Sequence, residues 1–248
     1  MSAARQGMRY EFKYLLPVAY QADLSLALAR YVEPDPYCAA SREGFYTVRS
    51  IYFDTDDLTF YFEKKDSVKI RKKLRVRTYD HPDASSNAFI EIKRKFGRRG
   101  LKERLRLPLP SVDDALNGKD PLRFLDEPSY RDRKTLSKVR FLMHVKNLKP
   151  VVLIAYEREA FQSCGNARDR VTFDGNIRSQ IEPQLDHIFR EEDLKVFESD
   201  CFVLELKFDD LMPTGMARII KEFNLVSRPY SKYCQGVDAW PVDRQLRF

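Results

Sequence analysis

The chain has 248 residues, of which 44 are Lys or Arg and 37 are Asp or Glu, so its formal net charge is +7. With 43% hydrophobic residues, a packed core is possible, and the length suits one large domain. The 17 Phe and 13 Tyr favour a sheet-rich fold over a helical bundle. The excess of positive charge favours a polyanionic partner without identifying it.

Eight β-strands are predicted in chain order from the alternation of apolar and charged residues, at 9–16, 47–53, 73–79, 89–95, 101–107, 151–160, 170–173 and 202–208. Helices are predicted after Pro17, after the capping residues Asp54 and Thr55, and over 129–145 and 213–223. Loops are predicted at 80–87 and 108–114. Because no repeat or linker divides the chain, we expect a single domain over 1–248, mostly antiparallel sheet.

The cysteines and the terminal sequence exclude several other classes. Four widely spaced cysteines, no CxxC pair and only three histidines argue against a zinc site and against a disulfide framework. Reduced thiols predict a cytoplasmic location. Charged residues within the first 30 positions argue against a signal peptide, and no run of about 18 apolar residues predicts a membrane segment.

The stretch KLRVRTY (73–79) shows how charge is distributed on the strands. Lys73, Arg75 and Arg77 share one face of a strand, and Leu74 and Val76 share the other. For a single strand, a solvated sheet face explains this pattern. The same division recurs on most predicted strands, with only a few isolated Glu among the cations. Packed side by side, such cations repel one another unless an anion screens their charge.

A closed barrel of about eight strands accounts for all the charged faces together, because its interior can hold a ligand. With those faces inward, the interior becomes a cationic tunnel, and the apolar faces point outward toward the helices. Arg forks and Lys ammonium groups bind phosphate oxygens. A Glu in such a tunnel would bind a divalent metal ion together with the phosphates.

Eight segments along nearly the whole chain resemble, in order, the triphosphate tunnel metalloenzymes (the CYTH-like superfamily), and within them the VTC-type polyphosphate polymerase domain. They are RYEFKYLL (9–16), TVRSIYFDT (47–55), KLRVRTY (73–79), FIEIKRK (89–95), YEREAF (156–161), RVTFD (170–174), LELKF (204–208) and SKYCQG (231–236). The resemblance implies an α+β fold with an eight-stranded antiparallel closed tunnel β-barrel and helices packed outside. It also implies metal-dependent transfer of the γ-phosphate of ATP to a polyphosphate chain, with Mn²⁺ or Mg²⁺ as cofactor.

Site residues follow from the same resemblance. The implied catalytic residues are Lys13, Arg75, Arg77, Lys93, Arg158 and Arg170. The implied substrate contacts are Tyr156, Lys207, Ser231 and Lys232, and the implied metal ligand is Glu205. From the residues alone, Ser231 can equally cap a helix, and the two roles are compatible.

Two positions qualify the resemblance. The superfamily often carries ExExK on its first strand, whereas this chain has Arg9 in place of the first Glu, which favours the VTC branch. Lys73 shares a face with Arg75, but at the predicted start of its strand it is expected at the tunnel rim or in solvent.

Other functions stay open at this point. The same tunnel could hydrolyse tripolyphosphate or a nucleoside triphosphate, since only the attacking group differs. A non-catalytic polyanion-binding module is a further alternative. Nucleic acid is not expected, because the cations alternate with aliphatic residues and their faces lack stacking aromatic side chains. The predicted partners are ATP and inorganic polyphosphate, and the oligomeric state is left open.

Overall fold

A computed structural model describes residues 9–80, 86–97, 99–125 and 127–240. It contains ten strands: β1 (Tyr10–Pro17), β2 (Val32–Pro34), β3 (Tyr46–Asp54), β4 (Ile70–Tyr79), β5 (Asn87–Phe96), β6 (Arg99–Pro108), β7 (Lys149–Ser163), β8 (Asn166–Ile181), β9 (Lys195–Glu198) and β10 (Cys201–Phe208). The helices are α1 (Gln21–Leu28), α2 (Pro36–Ala40), α3 (Thr59–Lys65), α4 (Val112–Leu116), α5 (Tyr130–Lys146), α6 (Thr214–Glu222) and α7 (Lys232–Asp238). The predicted antiparallel, sheet-dominated α+β class is confirmed.

The strands form one antiparallel sheet in the order β1-β10-β8-β7-β3-β4-β5-β6, with β2 paired to β7 and β9 paired to β8. All eight predicted strands lie on the main path. The short strands β2 and β9 were not predicted, because three or four residues are too few to show alternation.

The predicted closed barrel of eight strands is wrong in strand number and in closure. At the two ends of the order, β1 and β6 meet at one isolated bridge between Arg9 and Gly100, and no ladder joins them in the described ranges. The two strands therefore overlap only at their ends.

The apolar faces of the strands point outward into layers that the helices cover. Ile51, Leu74 and Ile90 pack in one cluster with Leu136 and Val139 of α5. At the β1 end of the strand order, a second cluster joins β1, β8 and β10 to α1 and α6. Burial of apolar side chains on this outer side leaves the opposite, charged faces turned toward one another.

Local signals explain where several helices begin. The helix predicted directly after Asp54 and Thr55 begins later, at Thr59, and its N-cap residue is Leu58. The fully buried Asp54 carboxylate still accepts hydrogen bonds from the first-turn amides of Phe60 and Tyr61. Ser129 and Asp132 form a capping box at α5. The two later helices lie within one residue of their predicted bounds. No helix in the described parts of the chain is both long and apolar enough to cross a membrane.

The loop predicted at 108–114 is wrong. Residues 109–111 form a 3-10 turn, and α4 begins at Val112. Val112, Ala115 and Leu116 are buried in the outer core, so packing converts this polar, Pro-rich stretch into a helix. Of the loop predicted at 80–87, residues 81–85 lie outside the described residues.

Candidate active site

The charged faces of the strands line a cavity of about 700 Å³. The segment at 227–233, which leads into α7, lines the cavity together with the strands. Every predicted site residue except Arg170 contributes to its wall: Lys13, Arg75, Arg77, Lys93, Tyr156, Arg158, Glu205, Lys207, Ser231 and Lys232. The alternation read from the sequence therefore brings these side chains together in three dimensions.

Arg170 is placed apart from the others. It lies opposite Lys207 in the register of β8 and β10, so its side chain leaves the sheet on the same face. The guanidinium pairs with Asp35, which is buried and also accepts hydrogen bonds from the amides of Tyr37 and Cys38 at the start of α2. Arg170 thus connects β8 to α2 instead of lining the cavity.

Two carboxylates lie together on the cavity wall, so Glu205 is not the isolated acid expected from the sequence. Lys13 Nζ is 3.1 Å from Glu11 Oε1 and 3.5 Å from Glu205 Oε1. Glu11 also pairs with Lys93 at 2.9 Å, and Glu205 pairs with Lys207 at 2.9 Å. Acid and base thus alternate along this side of the cavity.

The surrounding lysines keep both carboxylates ionised. Burial and the neighbouring Glu205 would raise the pKa of Glu11, but Lys93 and Lys13 outweigh them and lower it to about 2. Burial would likewise raise the pKa of Glu205, yet Lys13 and Lys207 hold it well below the usual range. Burial opposes the charge of Lys13, but the two carboxylates raise its pKa above the ordinary value.

Two further acids neutralise arginines near the cavity. Glu91 is fully buried and accepts hydrogen bonds from Arg75 Nε at 2.8 Å and Arg104 Nε at 2.6 Å. Asp174 accepts from Arg158 Nε at 2.6 Å and from Lys232 Nζ at 2.6 Å. Burial would raise the pKa of Asp174, but Arg158 and Lys232 lower it to about 2.

Arg77 and Lys73 are two cations of the wall whose side-chain hydrogen-bond partners are neutral hydroxyl groups. Arg77 donates to Ser50 Oγ at 2.9 Å and to Tyr156 Oη at 3.2 Å. Lys73 donates to Ser231 Oγ at 2.8 Å. Within the described ranges, no carboxylate lies at ion-pair distance from Lys73 or Arg77. Neither cation is therefore held in a direct ion pair, and an anion in the cavity could pair with both.

Of the two positions expected for Lys73, solvent is wrong, because its side chain lines the cavity beside the stacked rings of Tyr52 and Tyr233. The strand begins at Ile70, three residues before the predicted start, so Lys73 lies inside β4. Lys72, a charged residue on the face of Leu74 and Val76, interrupts the alternation of the sequence, and pairing with β5 extends the strand past it to Ile70.

Tyr52 was not singled out from the sequence, although alternation places it on the same face of β3 as Ser50. Its hydroxyl accepts from Arg75 Nη1 at 2.9 Å, and its ring stacks on Tyr233 with centroids 5.1 Å apart. Burial would raise the pKa of Tyr52, but Arg75, Arg77 and Lys73 lower it to about 7. The cavity thus contains a phenol that ionises near neutral pH.

The acids of the cavity wall could provide part of a site for a divalent metal ion. Among the described residues, no group of three or more His, Cys, Asp or Glu side chains is arranged to hold a metal. Glu11 and Glu205 are two ionised carboxylates that share Lys13, and Mg²⁺ is commonly bound by one or two carboxylates plus substrate phosphates. This donor pair fits such a partial site. Arg9, which takes the place of the first Glu of the ExExK pattern, lies 3.4 Å from Asp209 and forms an ion pair with it.

The VTC domain family model matches residues 8–240 of the chain. The chain belongs to the VTC domain family. This VTC domain is 31% identical over 146 residues to vacuolar transporter chaperone complex subunit 4 of Schizosaccharomyces pombe, a match covering 52% of the chain and 20% of that protein. It is 24% identical over 260 residues to the subunit of the same name in Trypanosoma brucei brucei, covering 88% of the chain and 33% of that protein. The chain therefore spans a third or less of the length of these relatives.

Two solved structures that match this VTC domain in a structural comparison share little sequence with it. One is a Hippeastrum protein that is named as an adenylyl cyclase and is described as having a dominant triphosphatase activity. It is 13% identical, with a TM-score of 0.49, covering 95% of this chain and 98% of that one. A Pyrococcus horikoshii OT3 protein is 10% identical, with a TM-score of 0.38, covering 90% and 94% of the two chains.

Proposed function

We propose that this VTC domain is a polyphosphate polymerase, which transfers the γ-phosphate of ATP to the end of an inorganic polyphosphate chain and releases ADP. The observation that carries the proposal is a cavity walled by cations, in which Lys73 and Arg77 have only neutral partners among the described residues. Membership of the VTC domain family supports the same substrate class.

Phosphoryl transfer places few covalent demands on the protein, because positioning and charge neutralisation supply most of the catalysis. A terminal phosphate oxygen of the chain would form the new bond to the γ-phosphorus of ATP, while the bond from that phosphorus to the bridging oxygen of ADP breaks. The attacking oxygen is already ionised, so no general base is required. Arg77 would hold the phosphate oxygens, and Arg75, Arg158 and Lys232 would add donors from the surrounding wall.

The ion pairs of the wall also have a role in binding. Arg75 and Arg158 are held in place by Glu91 and Asp174, so the guanidinium groups are fixed before substrate arrives. Preorganised donors stabilise developing negative charge without reorganising during the reaction. Arg170 is left out of this proposal as a direct phosphate contact, because it pairs with Asp35 away from the cavity.

Mn²⁺ or Mg²⁺ is part of the proposal. Glu11 and Glu205 would hold the ion together with phosphate oxygens, as their low pKa values favour. When bound, such an ion neutralises phosphate charge and acts as a Lewis acid at the transferred group.

The products formed from ATP and Mn²⁺ test this function. Electrophoresis and nucleotide analysis should find long polyphosphate together with ADP. If orthophosphate were the only phosphorus product besides ADP, the result would indicate that the cavity hydrolyses ATP and is not a polymerase site. Tight anion binding without any turnover would instead indicate a non-catalytic binding module.

A further inference from the structure

We infer that Lys73 is a further phosphate-binding residue of the cavity, and that Ser231 and Tyr233 position its ammonium group. The inference deepens the proposed function and rests on it, because it assigns another contact to the same phosphates. It also gives Ser231 a positioning role beside its role as a helix cap.

Three side chains fix the position of the ammonium group. Lys73 Nζ donates to Ser231 Oγ at 2.8 Å, and it lies 4.9 Å from the ring centroid of Tyr233 and 6.0 Å from that of Tyr52. These distances are within the range of cation–π attraction. Tyr233 is itself anchored by a hydrogen bond to the buried Asp54. The ammonium therefore lies over a ring that cannot easily move.

The charge of Lys73 has no acid to neutralise it in the described ranges, unlike the charge of Lys13 or Lys207. An ammonium has three donors, and Ser231 takes one of them. The remaining donors are available on a side chain that lines the cavity. Burial, with Lys13 and Lys93 nearby, lowers the pKa of Lys73 to about 8, although Tyr52 opposes this shift. A bound anion would restore the full charge.

Ser231 connects Lys73 to α7. Its hydroxyl oxygen accepts from Lys73 and from the amide of Cys234, which is 3.3 Å away. A hydroxyl has two acceptor sites and one donor, so both acceptor sites are occupied and the O–H remains to donate. Lys73 and Ser231 would therefore act on an anion as a coupled pair.

Calorimetric titration with tripolyphosphate in the presence of a chelator tests the binding without turnover. Lys73→Met should weaken binding by about tenfold, the size expected for a lost hydrogen bond to a charged group. Lys73→Arg should recover part of the affinity. The matched control is Lys72→Met, because Lys72 is the next residue on β4, is exposed and lies on the opposite face. This control should bind like the wild type.

The positioning role predicts coupling between the two residues. Ser231→Ala should weaken tripolyphosphate binding strongly in the wild type. In the Lys73→Met background the same substitution should have a several-fold smaller effect on the affinity. If Ser231 had a purely structural role, the two substitutions would instead have additive effects in this double-mutant cycle. Thermal unfolding of each variant checks the fold, and Lys73→Gln replaces Lys73→Met if that variant is unfolded.

Several results would overturn the inference: wild-type affinity in folded Lys73→Met, equal losses in the Lys72 and Lys73 variants, additive effects of the two substitutions, or no binding of tripolyphosphate by the wild type. Failure of the proposed function looks different. In that case the wild type would bind tripolyphosphate in a Lys73-dependent way and yet make no polyphosphate. That result would contradict the polymerase function and leave the phosphate-binding role of Lys73 supported.

Discussion

Glu11 Oε2 on β1 lies 2.9 Å from Lys93 Nζ on β5, so an ion pair connects two strands that are not neighbours in the sheet. The pair spans the gap beside β6, where the sheet has one isolated bridge in its described part. Side chains of the cavity wall thus hold together an edge that backbone hydrogen bonds leave largely open. Charges that line the cavity therefore also hold the fold together at this edge.

The acid stability of the protein should depend on Glu11. Its pKa is lowered to about 2 in the folded state, against about 4.3 for an unfolded chain. A depressed carboxylate pKa contributes stability above the unfolded value, and this contribution is lost as the pH falls through the folded value. The free energy of unfolding in urea should therefore fall between about pH 4.5 and pH 2.

Glu11→Gln should flatten part of this decline and lower stability near pH 7 by about 1 kcal/mol, because Lys93 is partly solvated and the pair is screened. Glu192→Gln, at an exposed position, serves as the control. An acid profile of Glu11→Gln identical to that of the wild type would contradict the stabilising role of the pair.

Arg77 and Arg75 should respond differently to substitution. Arg77→Met removes a charge that has no direct ion pair in the described residues, and it leaves only the hydroxyls of Ser50 and Tyr156 without their donor. Tripolyphosphate binding should therefore be lost at a stability cost of about 1–2 kcal/mol. Arg75→Met weakens the neutralisation of the fully buried Glu91 and should cost about 3 kcal/mol. Urea unfolding and calorimetry separate the two effects, and equal stability losses would show that the pairing pattern does not distinguish them.

Anion binding should be accompanied by proton uptake at Tyr52. The cations that lower its pKa to about 7 would be neutralised by bound phosphate, so a phenolate at pH 8 would regain its proton. Calorimetry in two buffers of different ionisation enthalpy measures the uptake, to which Lys73 and Lys207 also contribute because their pKa values fall to about 8. Tyr52→Phe keeps the ring and should reduce the uptake, whereas unchanged uptake would exclude Tyr52 as its source.

Metal binding should require both carboxylates beside Lys13. Glu205→Gln should weaken the affinity for Mn²⁺ in the presence of tripolyphosphate by about 10–100-fold, a range typical for damaged metal sites. Electron paramagnetic resonance of free Mn²⁺ gives the affinity directly. Glu222→Gln on the exposed surface of α6 is the control. Equal Mn²⁺ affinity in the wild type and Glu205→Gln would place the ion elsewhere.

Alternation in the sequence was sufficient to predict which side chains share a face. Arg75 and Arg77 line the cavity, whereas Leu74 and Val76 are buried in the outer core. This part succeeds because a strand has a period of two, whatever it pairs with.

Side-chain contacts between strands, whether neighbouring or distant, could not be predicted in the same way. The pairing of Glu11 with Lys93, or the burial of Glu91 between Arg75 and Arg104, depends on register and on the curvature of the sheet. A pattern within one strand contains neither quantity. The place of Lys73 on the cavity wall was missed for a related reason. Pairing with β5 extends β4 back to Ile70, so that Lys73 is not at the start of the strand.

A crystal structure with a non-hydrolysable ATP analogue and Mn²⁺ tests most directly whether the phosphates bind in the cavity. We expect triphosphate oxygens within hydrogen-bond distance of Arg77 and Lys73, with the metal ion beside Glu11 and Glu205. A triphosphate bound on the outer surface, with the cavity cations contacting no phosphate, would contradict it.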